Sequence, residues 1–252
     1  MLGRLRSFLA RRLSPARVDE GVYERLYEAH ARAYSDGRAV GDEESFDLIG
    51  RIELSLLVAE GLRRTDTIVD FGCGIGRLAV HLVPWLEGGH YVGIDISDTM
   101  LVRARERIAR AVPAPKCRVS WHKQTDPRFP SGLENVDAIV AFSVFTHMEH
   151  EDAYAYLKSA LGVVRPGGRF LFSCLPLKTK LGRTVFLDMA KDSVSVRWSR
   201  IRSVATSADF MASIAELAGW KVLRWYDGDE ENIPVEGKRQ ALGQSTCILE
   251  RP

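Results

Sequence analysis

Apolar positions along this chain of 252 residues follow two different periods, and the change of period organises it. Between about residues 65 and 175, short apolar runs alternate with amphipathic stretches. They predict strands near 67–72, 91–96, 117–123, 136–142 and 169–174, and helices near 76–86, 98–111 and 151–164. Such alternation predicts a parallel sheet covered on both faces, whose ligands lie beyond the carboxyl ends of the strands at the topological switch point. Upstream, the period is helical. Tyr23, Leu26, Tyr27 and His30 share one spacing, a polar loop with Gly37 and Gly41 follows, and a second helix beginning near Ser45 aligns Phe46, Ile49, Ile52 and Leu56.

Beyond Cys174 the alternation stops. Leu175 to Ser207 carries Lys178, Lys180, Arg183, Lys191, Arg197, Arg200 and Arg202, with Phe186 and Trp198 among them. A substrate lid over 175–207 and an ordinary charge-bearing surface insertion both account for this pattern. Helix signals resume at Ala208 to Ala218, and Trp220 to Tyr226 with Gln244 to Leu249 read as a final strand pair. At the other end, Leu2, Leu5, Leu9 and Leu13 are interleaved with Arg4, Arg6, Arg11, Arg12 and Arg17. The arginines exclude a secretory apolar core, although the stretch superficially resembles a transit peptide. A helix capping the active site, a surface helix, and weak peripheral contact with an anionic membrane are its three readings. The domain boundaries expected are an N-terminal helical cap over 1–60 and a core over 61–252.

Composition narrows the class. With 46% hydrophobic and 27% charged residues, the chain buries one sizeable core with peripheral elements. A net charge of +2 gives no reason to expect nucleic acid as a partner. Cys73, Cys117, Cys174 and Cys247 lack metal-ligand spacing and three sit on or beside strands, the usage expected of reduced thiols in a cytoplasmic protein. No apolar run approaches the roughly 20 residues of a membrane span. No cluster of Asp, Glu or His suggests a metal, and no feature specifies an oligomeric state.

The chemistry concentrates at Val69 to Arg77. An apolar run ends in an acid, three glycines follow on alternate positions, and nineteen residues after the last of them Asp95 closes the next strand. Strand, glycine turn and helix form a nucleotide cradle, because glycine lets the backbone approach a ligand where a Cβ would collide. The carboxylate on the following strand is placed to accept both hydroxyls of a ribose. A dinucleotide fingerprint would need glycine at Gly72, Gly74 and position 77, and position 77 is Arg77. Asp70 at the turn would also repel a pyrophosphate and attract a cation. S-adenosylmethionine carries a sulfonium, an ammonium and a ribose but no phosphate, a pattern that suits Asp70 and Asp95 together.

Asp70–Arg77 resembles the first motif of the class I S-adenosylmethionine-dependent methyltransferases, and Gly93–Ser97 resembles the segment after their second strand. Val136–Ser143 is similar to their fourth strand, and Leu161–Phe172 to their helix end, Pro-Gly-Gly turn and fifth strand. The resemblance implies a Rossmann-like, doubly wound α/β fold. Its seven-stranded, mostly parallel sheet has helices on both faces, an antiparallel last strand joined through 228–237, and a helical cap. It implies S-adenosylmethionine as cofactor and S-adenosylhomocysteine as product. The candidate cofactor residues are Asp70, Gly72, Cys73, Gly74, Arg77, Asp95, Ile96, Met100, Thr125 and Ser143. Cys73 needs no redox role, since a small side chain suits that turn. Arg51 and Arg77 are candidates for the cofactor's carboxylate, with a surface salt bridge as the alternative for each.

Methyl transfer is an in-line displacement on an activated methyl, and a hydroxyl acceptor also needs its proton removed. His147, just after the fourth strand, is the candidate general base. It has alternatives: a helix cap, a purely structural hydrogen bond, and His30 or Tyr27 as the base instead. His150 reads as a helix-entry residue and Glu149 as a group that orients either histidine. No Asn/Asp-Pro-Pro-Tyr/Phe motif follows the fourth strand, which counts against exocyclic amines of bases and glutamine side chains as acceptors. The reading is O-methylation of a small-molecule acceptor, a sugar or natural product. N-methylation of a small amine, RNA methylation and a non-catalytic regulatory role stay open beside it.

Overall fold

The central strands are apolar along nearly their whole length because helices cover both of their faces. In the computed structural model, which describes residues 21–33 and 43–252, β1 (Thr67–Phe71), β2 (His90–Asp95) and β4 (Val136–Ala141) are buried at almost every position. Alternate residues still serve opposite layers. Val69, Val92, Ile139 and Phe170 face one core with Leu157 and Met211. Ile68, Tyr91, Ala138 and Leu171 face the other with Leu56 and Leu82.

The remaining elements are, in chain order, α1 (Val22–Ala33), α2 (Glu43–Ala59), α3 (Ala79–Trp85), α4 (Asp98–Ala111), β3 (Arg118–Lys123), α5 (His150–Ala160), β5 (Val164–Pro176), α6 (Lys180–Met189) and α7 (Val194–Trp198). After them come β6 (Ala205–Thr206), α8 (Ala208–Ala218), β7 (Lys221–Tyr226), β8 (Ile233–Val235), β9 (Lys238–Gln240) and β10 (Ser245–Glu250). The sheet order is β3-β2-β1-β4-β5-β10-β7. Strands β1 to β5 pair in parallel, and β10 runs antiparallel to both β5 and β7. The winding reverses between β1 and β4, which opens a crevice beyond their carboxyl ends.

The expected seven strands become eight, since β6 pairs with the last two residues of β5. Two residues are too few to leave a period in the sequence. A separate hairpin, β8–β9, occupies what reads as a plain connection over 228–237. Its turn is made by Glu236 and Gly237, both at positive φ. Ile233 and Val235 are buried while Pro234 faces outward, so the hairpin lays one face on the core beside α2.

Helix and strand ends also differ from expectation. Gly72, Gly74 and Gly76 all take positive φ, so the glycine turn runs on and α3 starts at Ala79. Helix α5 stops at Ala160, and β5 begins at Val164 rather than 169, with an irregularity over the Pro-Gly-Gly turn. A Cβ on Gly168 would lie 2.8 Å from the Arg165 carbonyl oxygen and 3.0 Å from that of Asp137, so glycine suits the close approach of the backbone there.

Helix α1 is tied across the crevice by polar contacts. Tyr23 Oη donates to Asp152 (2.7 Å) and accepts from the Glu149 N–H, Glu28 accepts from Thr99 Oγ1 (2.8 Å), and Lys123 pairs with Glu24 (2.7 Å). The basic segment at residues 1–18 and most of the polar loop after α1 lie outside the described residues. Among the described residues no helix is long and apolar enough to cross a membrane.

Candidate functional site

A cavity of about 550 Å³ lies beyond the carboxyl ends of β1, β2 and β4, bordered by α1, the start of α2 and one side of α4. That volume is typical of a small-molecule site. All eleven candidate residues reach it: Asp70, Gly72, Cys73, Gly74, Arg77, Asp95, Ile96, Met100, Thr125, Ser143 and His147. Arg51 does not border it and is held on the surface by Asp47 (3.0 Å) and Glu236 (3.1 Å).

The glycine turn is clamped to β2, with the Gly72 and Cys73 N–H groups donating to the Ile94 carbonyl. A Cβ on Gly72 would lie 2.4 Å from Val144 Cγ2, whereas around the same point on Gly74 there is no atom within 4 Å. Gly72 is therefore needed for packing, and Gly74 leaves space. The Gly74 N–H donates to one Asp95 oxygen (2.8 Å) and the Ser97 N–H to the other (2.9 Å). Each oxygen keeps lone-pair capacity for a further donor, which suits a pair of neighbouring hydroxyls. Burial pushes the Asp95 carboxyl up to about 6 against these N–H donors.

Behind Asp95 lies a second buried acid. Asp70 accepts from Tyr91 Oη (2.7 Å), and burial raises it to about 7, with the Tyr91 bond opposing. Arg77 forms a two-pronged pair with the buried Glu53 of α2, at 2.5 Å and 3.2 Å. Its charge is thus largely compensated within the protein, and its edge still borders the cavity.

Ser143, two residues beyond β4, takes a left-handed conformation, φ 60°. A closed ring of hydrogen bonds holds it: the Ser143 N–H donates to Ser173 Oγ (2.7 Å), Ser173 Oγ to Gln244 Oε1 (2.6 Å), and Gln244 Nε2 to Ser143 Oγ (2.9 Å). The ring uses the Ser143 hydroxyl as an acceptor, which leaves its own hydrogen for a partner in the cavity.

His147 Nδ1 lies 3.0 Å from the Arg202 carbonyl oxygen. A carbonyl only accepts, so Nδ1 carries the hydrogen and Nε2 carries the lone pair. Burial lowers the pKa of His147, with the Arg202 carbonyl opposing, so the ring is neutral at pH 7. Arg202 is fixed in turn by Glu149 (2.9 Å) and lies over the Trp198 ring. Glu149 therefore reaches His147 only through Arg202. His150 starts α5, with Nε2 3.1 Å from Thr206 Oγ1 and its ring edge-on to Phe210.

Tyr27 meets the His147 ring edge-on, 6.4 Å between centroids, and its hydroxyl has no hydrogen-bond partner among the described residues. Burial raises its pKa, so it is a phenol donor at neutral pH. Of the segment 175–207, none of the residues borders the cavity. Its ties to the site are the Arg202 carbonyl and the Val204 N–H, which donates to the Thr146 carbonyl (2.7 Å).

Glu53, Tyr91, Ser173 and Gln244 are functional neighbours that carry no local signature. Glu53, Tyr91 and Ser173 lie on elements whose pattern reports only burial, and Gln244 lies in the loop before β10. No group of three metal-ligating side chains occurs among the described residues.

A family model described as a methyltransferase domain matches residues 69–170. An S-adenosyl-L-methionine-dependent Diels-Alderase of Neonectria sp. (strain DH2) is 30% identical over 48% of this chain and 43% of its own length. The 27-O-demethylrifamycin SV methyltransferase of Amycolatopsis mediterranei (strain S699) is 28% identical over 43% of this chain and 38% of its own. The chain thus spans less than half the length of these curated relatives. Among solved structures, magnesium protoporphyrin IX methyltransferase from Synechocystis PCC 6803, with bound SAH, superposes with a TM-score of 0.65 at 19% identity, covering 93% of this chain and 100% of that one. At that identity the likeness is one of fold.

Proposed function

Because the chain belongs to the class I S-adenosylmethionine-dependent methyltransferase superfamily, we propose that its cavity holds S-adenosylmethionine and that it methylates a hydroxyl of a small molecule, a sugar or natural product. The residues present fit that cofactor. Asp95 retains acceptor capacity for two ribose hydroxyls, the space beside Gly74 admits close approach, and Asp70 supplies a buried acid suited to a cationic ligand. When bound, the cofactor supplies a methyl group activated by its sulfonium.

The observation that carries the hydroxyl reading is the orientation of His147. Nδ1–H is committed to the Arg202 carbonyl, so Nε2 is the basic nitrogen in the same cavity as Asp95. Nε2 takes the hydroxyl proton as the acceptor oxygen attacks, and burial keeps the imidazole unprotonated for that purpose. The Ser143 and Tyr27 hydroxyls are free to donate to the acceptor or cofactor and to orient it. Walls of Phe142, Val144 and Met148 exclude water.

Release of S-adenosylhomocysteine across a panel of hydroxylated and aminated metabolites tests this. Release is the readout because one relative's name couples S-adenosylmethionine dependence to a Diels–Alder activity, where binding alone would mislead. With a hydroxyl acceptor, His147→Ala should lower kcat by about 10²-fold or more while leaving S-adenosylhomocysteine affinity unchanged. Turnover only of amines, with a pH profile following the amine's own ionisation, would replace the hydroxyl reading. Binding with no turnover of any acceptor would favour a regulatory role.

A further inference from the structure

Large apolar side chains left in solvent are unevenly distributed over this protein. Of the eleven among the described residues, seven fall between Leu177 and Trp198, including Phe186 (48% exposed), Leu187 (61%), Val194 (60%) and Trp198 (54%). Scattered exposed apolar residues need no explanation, but such a concentration marks a surface that meets something.

The helices carrying them are almost without a core face. Gly182 is the one buried residue of α6, and α7 has none. Helix α6 is pinned at its first turn, where Thr179 accepts from the Gly182 N–H and donates to the Pro176 carbonyl. A Cβ on Gly182 would come within 2.0 Å of that same carbonyl oxygen, so the helix start is pressed directly against the end of β5. Arg200 bonds both Asp192 and Met189 Sδ, and Arg197 bonds the Asp192 carbonyl, which joins α6, α7 and the following loop into one unit. A firmly mounted unit therefore holds its apolar side chains outward.

Charge selects the occupant. Residues 178–202 contain seven basic and two acidic side chains, a net of +5, although the whole chain carries only +2. The rest of the chain is net acidic even with the five arginines of the basic stretch over 1–18, so among the described residues this segment concentrates the positive charge. The cationic side chains of Lys180, Arg183 and Arg197 have no carboxylate partner among the described residues, although the Lys180 backbone N–H donates to Asp229. Exposed aromatic and aliphatic side chains interleaved with unpaired cations match the interface of an anionic bilayer, where apolar groups enter the headgroup boundary and cations meet lipid phosphates.

The geometry points to α6 and α7 as a peripheral docking surface for anionic lipid membranes. The segment continues into Arg202, whose carbonyl holds His147, so docking sets the candidate site a short distance from the lipid surface.

Full-length protein is mixed with phosphatidylcholine vesicles with and without 30–40% phosphatidylglycerol, roughly spanning the charge of anionic membranes, and bound protein is measured by flotation at low and at physiological salt. Binding is expected only with the anionic lipid and weakens with salt. Lys180→Glu with Arg183→Glu, or Phe186→Ser with Leu187→Ser, should lower partitioning by about tenfold or more. All four positions are exposed, and far-ultraviolet circular dichroism and melting temperature report that the variants remain folded. A blue shift of tryptophan emission on binding that disappears in Trp198→Phe gives a second readout. No binding by the wild type at low salt overturns the proposal. Equal binding by wild type and both variants also overturns it, because the contact then lies elsewhere on the chain. A reversible dimer that the Phe186 and Leu187 substitutions dissociate, without vesicle binding, assigns the surface to a second copy instead.

Discussion

At the scale of single residues, the site is organised around two buried acids that the fold keeps close to neutral pH. Burial raises Asp70 to about 7 and Asp95 to about 6, from a reference near 3.8. An acid raised in the folded state stabilises the fold fully below its unfolded pKa, and that contribution is lost as pH rises through the folded value. Asp70→Asn should therefore gain stability over the wild type as pH rises from about 5 to 8, measured by denaturant unfolding of the ligand-free protein; a constant difference would contradict it. A cationic cofactor favours the ionised acids, so its affinity should rise across the same interval. Asp95→Ala should weaken cofactor binding by about 1.5 to 3 kcal/mol per charged hydrogen bond lost, measured by calorimetry. Gln244→Leu should cost about 1 to 3 kcal/mol of stability by leaving Ser143 and Ser173 short of partners, and should reduce turnover through Ser143. Asp95 was legible as the acid closing a strand after a glycine turn. Gln244 was not, because nothing near it in the chain distinguishes it from any loop glutamine.

At the scale of elements, the glycine turn between β1 and α3 shows how backbone conformation and packing act together. Gly72 combines φ 75° with a Cβ direction that runs into Val144 Cγ2. Gly72→Ala should destabilise the protein by more than about 1 kcal/mol, since both strain and overlap oppose it. Adding Val144→Ala should recover the overlap part and leave the strain part, as thermal unfolding of the single and double variants would reveal. Full recovery would mean that the left-handed conformation carries no cost. The alternating pattern placed the strands and the helices between them, because burial on two faces and amphipathic helices leave periods in neighbouring residues. It missed β6 and the β8–β9 hairpin, whose two and three residues are shorter than any period. It also carried α5 too far, since the Val163–Val164 pair extends an apolar run across the point where the chain turns into β5.

At the scale of the whole molecule, α1 closes one side of the cavity through Tyr23, Tyr27 and His30, and apart from Ala31, which packs with Phe46, Ile75 and Met100, its ties to the core are polar. Polar, partly exposed ties open more readily than packed apolar ones. S-adenosylhomocysteine at a hundredfold excess over its Kd adds about 2.7 kcal/mol to stability, which for a chain of this size raises the melting temperature by roughly 5 to 10 °C. Amide exchange should slow most in α1 and in the Gly72–Gly76 turn, and little in α8, which packs in the core away from the cavity. Uniform slowing in all three elements would point to global stabilisation without local closure, and a larger shift with NAD would overturn the cofactor assignment.

The amino-acid sequence by itself determined what neighbouring residues record: two-sided burial of the central strands, the glycine turn after Asp70, and an acid at the end of the next strand. Only the tertiary structure decided which distant groups complete them. Ser143 meets Ser173 and Gln244, 30 and 101 residues away, because β4, β5 and β10 are adjacent in the sheet. His147 presents Nε2 because a carbonyl 55 residues later takes its Nδ1 hydrogen. Tyr91 bonds Asp70 because β1 and β2 run side by side. Such pairings depend on strand order, and local periodicity reports whether a residue is buried but not what it is buried against.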